Sequence, residues 1–405
     1  MENQALSEEL DYLFSVLVRE KELKPPYTIR TDIIKDFSDR CEVYLDILQT
    51  YIDEHKNSLS RRLSRRFDRI IDVCDGINDS LSDFLSGDIK GAYDAFNSTF
   101  SEKIIATYIQ DISIPLNHIC NEEKPLFRVR KSDTAIKERN EMFHIPFSKR
   151  HFVNAQRYSV AGLPCLYLGT SLYICWQEMD KPDFDKLYIS AFSSDDSESK
   201  ILNFSAKILY NGNYLSIGDN SLSIDAKLAY LCLMPLIFAC NYKKIHDNVS
   251  FTQEYIIPNL LMQWISRRSK SNVVGIAYRS TKMIKSSYND KSINVVLPPK
   301  VTYKQTIEQD FCPKLLKMFR LTSPVSWQVL KTLDYTYEIT ENSEERRASR
   351  YLRMKEKLAG IQDFDEDLIS LYPLTDFYKL EKCIDNLLRY GAIIDKNGDT
   401  LAAEH

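Results

Sequence analysis

The first hundred or so positions repeat apolar residues at helical spacing. In "EELDYLFSVLVRE" (8–20), Leu10, Leu13, Val16 and Leu17 form one stripe. After the break at Pro25–Pro26 the pattern resumes in "TDIIKDFSDRCEVYLDILQTYIDEH" (31–55). It returns in "SRRFDRIIDVCDGINDSLSDFLSG" (64–87), where Gly87 reads as a helix stop. Few prolines and no strand-type alternation predict an antiparallel helix bundle over residues 1–118. The texture changes near "SIPLNHICNEEKPLFRVR" (113–130). From there short β-rich runs alternate with helical stretches: "LFRVR", "CLYLG", "KLYISAFSS", "SKILNFSA", "NVVGIAYRS" and "INVVLP". They predict an α+β domain over residues 119–310. Beyond Pro324 the chain is charged and helical, which predicts a mostly helical third part over 311–405.

Within the middle region, "RYSVAGLPCLYLGTSLYICWQE" (157–178) reads as a turn at Gly162 and Pro164, a short buried strand, and a helix capped by Thr170 or Ser171. Arg157, Tyr167 and Glu178 are the polar positions of this otherwise apolar unit. They fit the lining of a pocket, and equally a surface salt bridge.

Composition narrows the partners. A net charge of −4 over 405 residues makes no basic field for wrapping nucleic acid. The local exception is "SRRLSRRFDR" (60–69), with Arg61, Arg62, Arg65, Arg66 and Arg69 on one broad helical face. The opening "MENQALSEEL" is acidic and polar, unlike a secretory signal. The longest apolar run, "LAYLCLMPLIFAC" (228–240), has 13 residues and contains Pro235. A bilayer needs roughly 20, so it reads as a buried core helix. The expectation is a cytoplasmic chain without membrane contact. Nine cysteines with no C-x-x-C, set in apolar runs, read as reduced core residues. Six histidines without paired spacing give no metal site.

No G-x-G-x-x-G, no G-x-x-x-x-G-K-[ST] and no G-x-S-x-G occurs, so a phosphorylated ligand here must be held by side chains. Strand alternation puts Arg128 and Arg130 of "LFRVR" on one face, and spacing leaves open which of them meets a ligand. "VVGIAYRS" reads as a buried strand ending in Tyr278, Arg279 and Ser280. Arginines hold a pyrophosphate through charge-assisted hydrogen bonds, a tyrosine offers a flat face, and a glutamate favours a positively charged sugar.

The runs "KPLFRVR…EMFHIPFSKRHFVNAQRYSVAGLPCLYLGTSLYICWQE" and "FTQEYIIPNLLMQWISRRSKSNVVGIAYRS" resemble the RES domain, over about residues 125–300. The resemblance implies an ADP-ribosyltransferase-like fold and a toxin that consumes NAD by phosphorolysis, hydrolysis or ADP-ribosyl transfer. It places the family's arginine, glutamate and serine on Arg128, Glu178 and Ser280 as catalytic residues. Arg157, Tyr167 and Arg130 become NAD-binding residues. The implied partners are NAD as substrate, a protein antitoxin or inhibitor, and a second copy of the chain. Two departures stand out: Arg157-Tyr158-Ser159 replaces the family's Arg-Trp/Phe-Asn, and Asn259 stands where some members carry glutamine.

A rival reading overlaps it. "RNEMFH" fits the R-x4-H signature of HEPN ribonucleases through Arg139 and His144, and the N-terminal helices resemble the HEPN-like segment fused ahead of some RES domains. On one helix the two side chains would point about 140° apart, which favours a structural role for His144. A non-catalytic interaction module is the third reading.

Overall fold

The structure is a computed structural model. It describes residues 2–210, 222–246, 249–268, 271–282, 290–333, 343–358, 360–361 and 364–393. The first helices are α1 (Glu2–Arg19), α2 (Ile33–Glu54), α3 (Ser58–Ser64), α4 (Phe67–Leu85), α5 (Ile89–Ser101), α6 (Lys103–Asp111) and α7 (Leu116–Ile119). Then come α8 (Leu172–Glu178), α9 (Ile224–Cys232), α10 (Met234–Cys240) and α11 (Ile256–Arg267). The last are α12 (Tyr303–Glu308), α13 (Pro313–Met318), α14 (Trp327–Thr332), α15 (Ser343–Lys357), α16 (Phe364–Ser370) and α17 (Asp376–Leu387). The strands are β1 (Ser113–Pro115), β2 (Leu126–Lys131), β3 (Leu166–Gly169), β4 (Leu187–Ser193) and β5 (Lys200–Asn203). β6 (Val273–Arg279), β7 (Ile293–Leu297), β8 (Arg320–Leu321) and β9 (Val325–Ser326) complete them. The chain is of mixed α and β composition, as its patterning predicts.

Contacts divide the chain into two compact units along lines other than the three-part reading of composition. The first holds residues 1–113, 155–161 and 202–273; the second holds 114–154, 162–201 and 274–405. In the first unit α4 packs on α5, and α9, α10 and α11 pack among the N-terminal helices. Its core contains Phe14, Phe37, Tyr44, Phe96 and Phe100, all fully buried. Two expectations change in detail. The apolar run 228–240 is two buried helices, α9 and α10, because Pro235 has no backbone N–H to continue the first one. The arginine run is divided between α3 and α4 at Arg65–Arg66, so it has no single helical face.

The second unit is built on a sheet in the order β1-β5-β6-β7-β3-β2-β4-β8, with β9 also on β4. Strands β2, β3, β4, β6 and β7 pair antiparallel. One side of the sheet packs Leu126, Leu166, Leu168, Val295 and Leu297 against Phe143, Phe147, Leu315 and Phe319. The other packs Phe127, Val129 and Ile189 against α8, α14 and α17, through Tyr173, Trp176, Trp327, Phe377 and Ile384. The last third of the chain therefore completes the core that seats α8. Gly169 allows that seat: a Cβ there would lie 2.6 Å from Ile174 and 2.7 Å from Cys175. Among the described residues no helix is long and apolar enough to cross a membrane.

Candidate active site

Helix α8 carries Glu178 at its last position. Ser171 caps its start, with Oγ accepting from the Ile174 N–H at 3.1 Å. The end is closed by backbone bonds from Asp180 N–H to the Gln177 carbonyl and from Lys181 N–H to the Trp176 carbonyl. This is the paired C-terminal closure that usually recruits glycine, yet Asp180 and Lys181 adopt it at φ 62° and 54°. Side chains other than glycine enter this left-handed region at a cost, and aspartate is among the more tolerant. Asp180 has a use there: its carboxylate takes the Lys282 ammonium at 2.6 Å. The same ammonium donates to the Glu178 carbonyl at 3.0 Å.

The Glu178 carboxylate, half-buried, accepts from Asn294 Nδ2 at 2.7 Å. Asn294 is buried on β7, opposite Gly169 on one side and Tyr278 on the other. Residues two apart on a strand share a face, so Tyr167, Asn294 and Tyr278 all lie on the side of the sheet that seats α8. Ser280, just past β6, donates its N–H to the Ser292 carbonyl, and its Oγ accepts from the Lys282 N–H at 3.2 Å. Lys282 thus ties Ser280 to the end of α8. Glu178 and Ser280 are brought together, with Asn294 and Lys282 between them.

The two strand arginines share the Leu126 face of β2, opposite the side that seats α8 and Glu178, and they bond to different carbonyls. β2 and β3 are in register at Phe127 and Gly169, and Arg128 reaches across to the Tyr167 carbonyl at 3.0 Å. Its Nε is buried without a partner among the described residues. Desolvation, with Arg130 nearby, brings its guanidinium down to about 10, still charged at neutral pH. Arg130 instead donates to the Glu141 carbonyl. Arg157 lies in the first unit, buried, donating to the Cys240 carbonyl at 3.3 Å with its guanidinium 5.0 Å from the Tyr255 ring.

The residues of the rival motif have structural partners. Arg139 donates to the Leu321 carbonyl at 3.0 Å and to the Arg389 carbonyl at 3.4 Å. His144 is fully buried; Nδ1 meets the Ile145 carbonyl at 2.7 Å and Nε2 accepts from the Cys312 N–H at 2.9 Å. Burial lowers it to about 4, with the charge of Arg128 adding to the shift, so the ring is neutral at pH 7. Cys175 on α8 donates to the Phe127 carbonyl, and desolvation raises its thiol to about 12, with the charge of Glu381 adding. It is a packing residue and not a nucleophile.

Asn294 and Lys282 are the members that residue patterns missed. Asn294 sits inside "INVVLP" as a lone polar residue in an apolar strand, and that interruption is the one signal that marks it.

No family model matches the chain. No solved structure matches it. Over 242 residues the chain is 30% identical to a Bacillus subtilis (strain 168) protein described as "Putative toxin YopC", covering 57% of this chain and 51% of that protein. The chain thus spans about half the length of this curated relative.

Proposed function

We propose that this chain is a toxin that consumes NAD by breaking the bond between nicotinamide and ribose. The observation that carries the reading is the Glu178 carboxylate, oriented by Asn294 at the end of α8 on the sheet face shared with Tyr167. The resemblance to RES domains and the similarity to a protein described as a toxin support it. As the C–N bond lengthens, positive charge builds on the ribose. A carboxylate fixed beside it stabilises that charge without reorganising. Tyr167 packs against nicotinamide or ribose, and Ser280 hydrogen-bonds within the site; Arg128, which alternation puts with Leu126 on the other side of the sheet, acts on it only by holding the Tyr167 carbonyl. The group that takes the ribose carbon is phosphate, water or a protein side chain.

The test is nicotinamide release from NAD by the pure protein, with and without inorganic phosphate. Stimulation by phosphate would assign phosphorolysis. In Glu178→Gln, release should fall on the order of 10² to 10³-fold, the scale of removing one electrostatic stabiliser, with NAD affinity little changed. Equal turnover per folded molecule in this variant would sink the mechanism. The resemblance also assigns Arg157 to NAD. An Arg157→Ala protein that loses stability but binds NAD as before would return that residue to packing.

A further inference from the structure

The helix that carries Glu178 is seven residues long, too short to hold its own geometry. Its orientation must come from what grips its ends. At the start, Ser171 Oγ donates to the Lys291 carbonyl at 2.6 Å while capping Ile174. The first helical N–H, that of Leu172, is satisfied from far along the chain: it donates to Glu381 Oε1 of α17 at 2.7 Å. Glu381 is 4% exposed. Its other partners are the Tyr372 hydroxyl and, at 3.5 Å, the Lys291 ammonium, which lies over the Tyr372 and Tyr378 rings. Each of these partners is a donor, so the site is built for a carboxylate.

We propose that Glu381 is a positioning residue for Glu178, acting through α8. A carboxylate at the helix start and the Lys282 ammonium at its end oppose the two ends of the helix dipole. Together they fix the rod along its length, about 10 Å at 1.5 Å per residue. A displacement at Leu172 is therefore carried to Glu178. Burying an acid is a poor way to gain stability, since an apolar side chain of similar volume commonly does as well. What the acid adds is direction: its lone pairs accept the Leu172 N–H along one line, and Tyr372 and Lys291 keep it from turning. Between the two ends, Cys175 donates to the Phe127 carbonyl and the absence of a side chain at Gly169 lets the helix lie close on the sheet.

The inference rests on the NAD-cleaving reading for its effect on rate, and its structural half is separately measurable. Glu381→Gln keeps the volume and replaces one acceptor by an amide that meets donors. We expect nicotinamide release to fall roughly 10- to 100-fold, the scale of an ångström of misplacement, with KM for NAD within about twofold. Tyr372→Phe, which removes one donor and keeps the ring, should move the same way to a smaller extent. In both variants the Asn294 side-chain amide resonances should shift as they do in Glu178→Gln, and the Leu172 amide should exchange faster. Unchanged Asn294 resonances in folded Glu381→Gln would overturn the proposal. So would unchanged turnover in a protein that releases nicotinamide. If the wild-type protein releases none while the Asn294 resonances do shift, the NAD reading fails and the positioning of Glu178 stands.

Discussion

Asp36 in the first unit and Glu178 in the second are both acids held by polar neighbours, and they differ in how completely. Asp36 accepts from Arg40 Nη2 at 2.7 Å, Arg30 Nε at 3.0 Å and the Tyr242 hydroxyl at 2.8 Å. Burial alone would raise its carboxyl, but these bonds outweigh it and hold the group below its ordinary range. Arg40 is in turn stacked 4.0 Å over the Tyr27 ring. Three of its roughly four acceptor positions are taken, and burial closes the rest to solvent. Among the described residues Glu178 takes one side-chain amide, that of Asn294, and it remains half-exposed. A carboxylate has about four acceptor positions, so a single bond orients it and leaves it able to face a developing charge.

The largest effect should come from breaking the buried Asp36 network. Asp36→Ala leaves Arg40 charged and buried, and should cost about 3–5 kcal/mol of stability by denaturant titration. Replacing both, as Asp36→Leu with Arg40→Met, should recover most of it. A double variant no better than the single one would show that the network does more than neutralise itself.

His144 is expected to give a pH signature of similar size in the second unit. The unfolded ring takes a proton near 6.5 and the folded one only near 4. Between those values the unfolded state binds more protons, so stability is full above 6.5 and falls as pH drops toward 4. The loss is about 3.5 kcal/mol at most, because each pH unit between the two values is worth about 1.4 kcal/mol. Wild-type protein should therefore lose more melting temperature over that window than His144→Gln loses. Parallel curves would contradict the assignment.

Asn294→Ala tests the amide tether of Glu178. Losing one hydrogen bond to a charged group is worth about 1.5 kcal/mol. Nicotinamide release should fall about tenfold, well short of the Glu178→Gln loss. A loss as large as that of Glu178→Gln would make Asn294 part of the chemistry itself.

The smallest change is expected in Asp180→Gly. Glycine relieves the left-handed backbone, while the Lys282 ion pair, which is solvent-exposed, is lost. These effects oppose each other at about 1 kcal/mol or less each. Melting should move by only a few degrees, and turnover should fall a few-fold as Lys282 loosens from the Glu178 carbonyl. A more active variant would show that the strained turn restrains the site.

Much of the local structure was legible along the chain. The runs "LFRVR", "CLYLG", "INVVLP" and the helix from Leu172 lie where periodicity puts them, and Ser171 is the cap. These are decided by neighbours a few residues apart, where alternation and capping act. The end of the tail, "DKNGDT", falls outside the described residues. The partners of the proposed acid were not legible. Asn294 is 116 positions from Glu178, and Glu381 is 209 from Leu172. Nothing in the local pattern distinguishes Glu381 from the other acids of a charged helix.

The sequence by itself therefore determined the longer strands and most helices, and that Arg128, Glu178 and Ser280 stand at their ends or along them, but not the short strands β1, β8 and β9. It could do so because side-chain periodicity and caps are short-range. Only the tertiary structure decided that Arg128 reaches the Tyr167 carbonyl while Arg130 meets Glu141. It alone placed residues 155–161 with the helical unit and α17 against α8. The reason is physical: strand register and the burial of a lone polar group depend on which distant surfaces come together, and packing sets that only once the whole core closes.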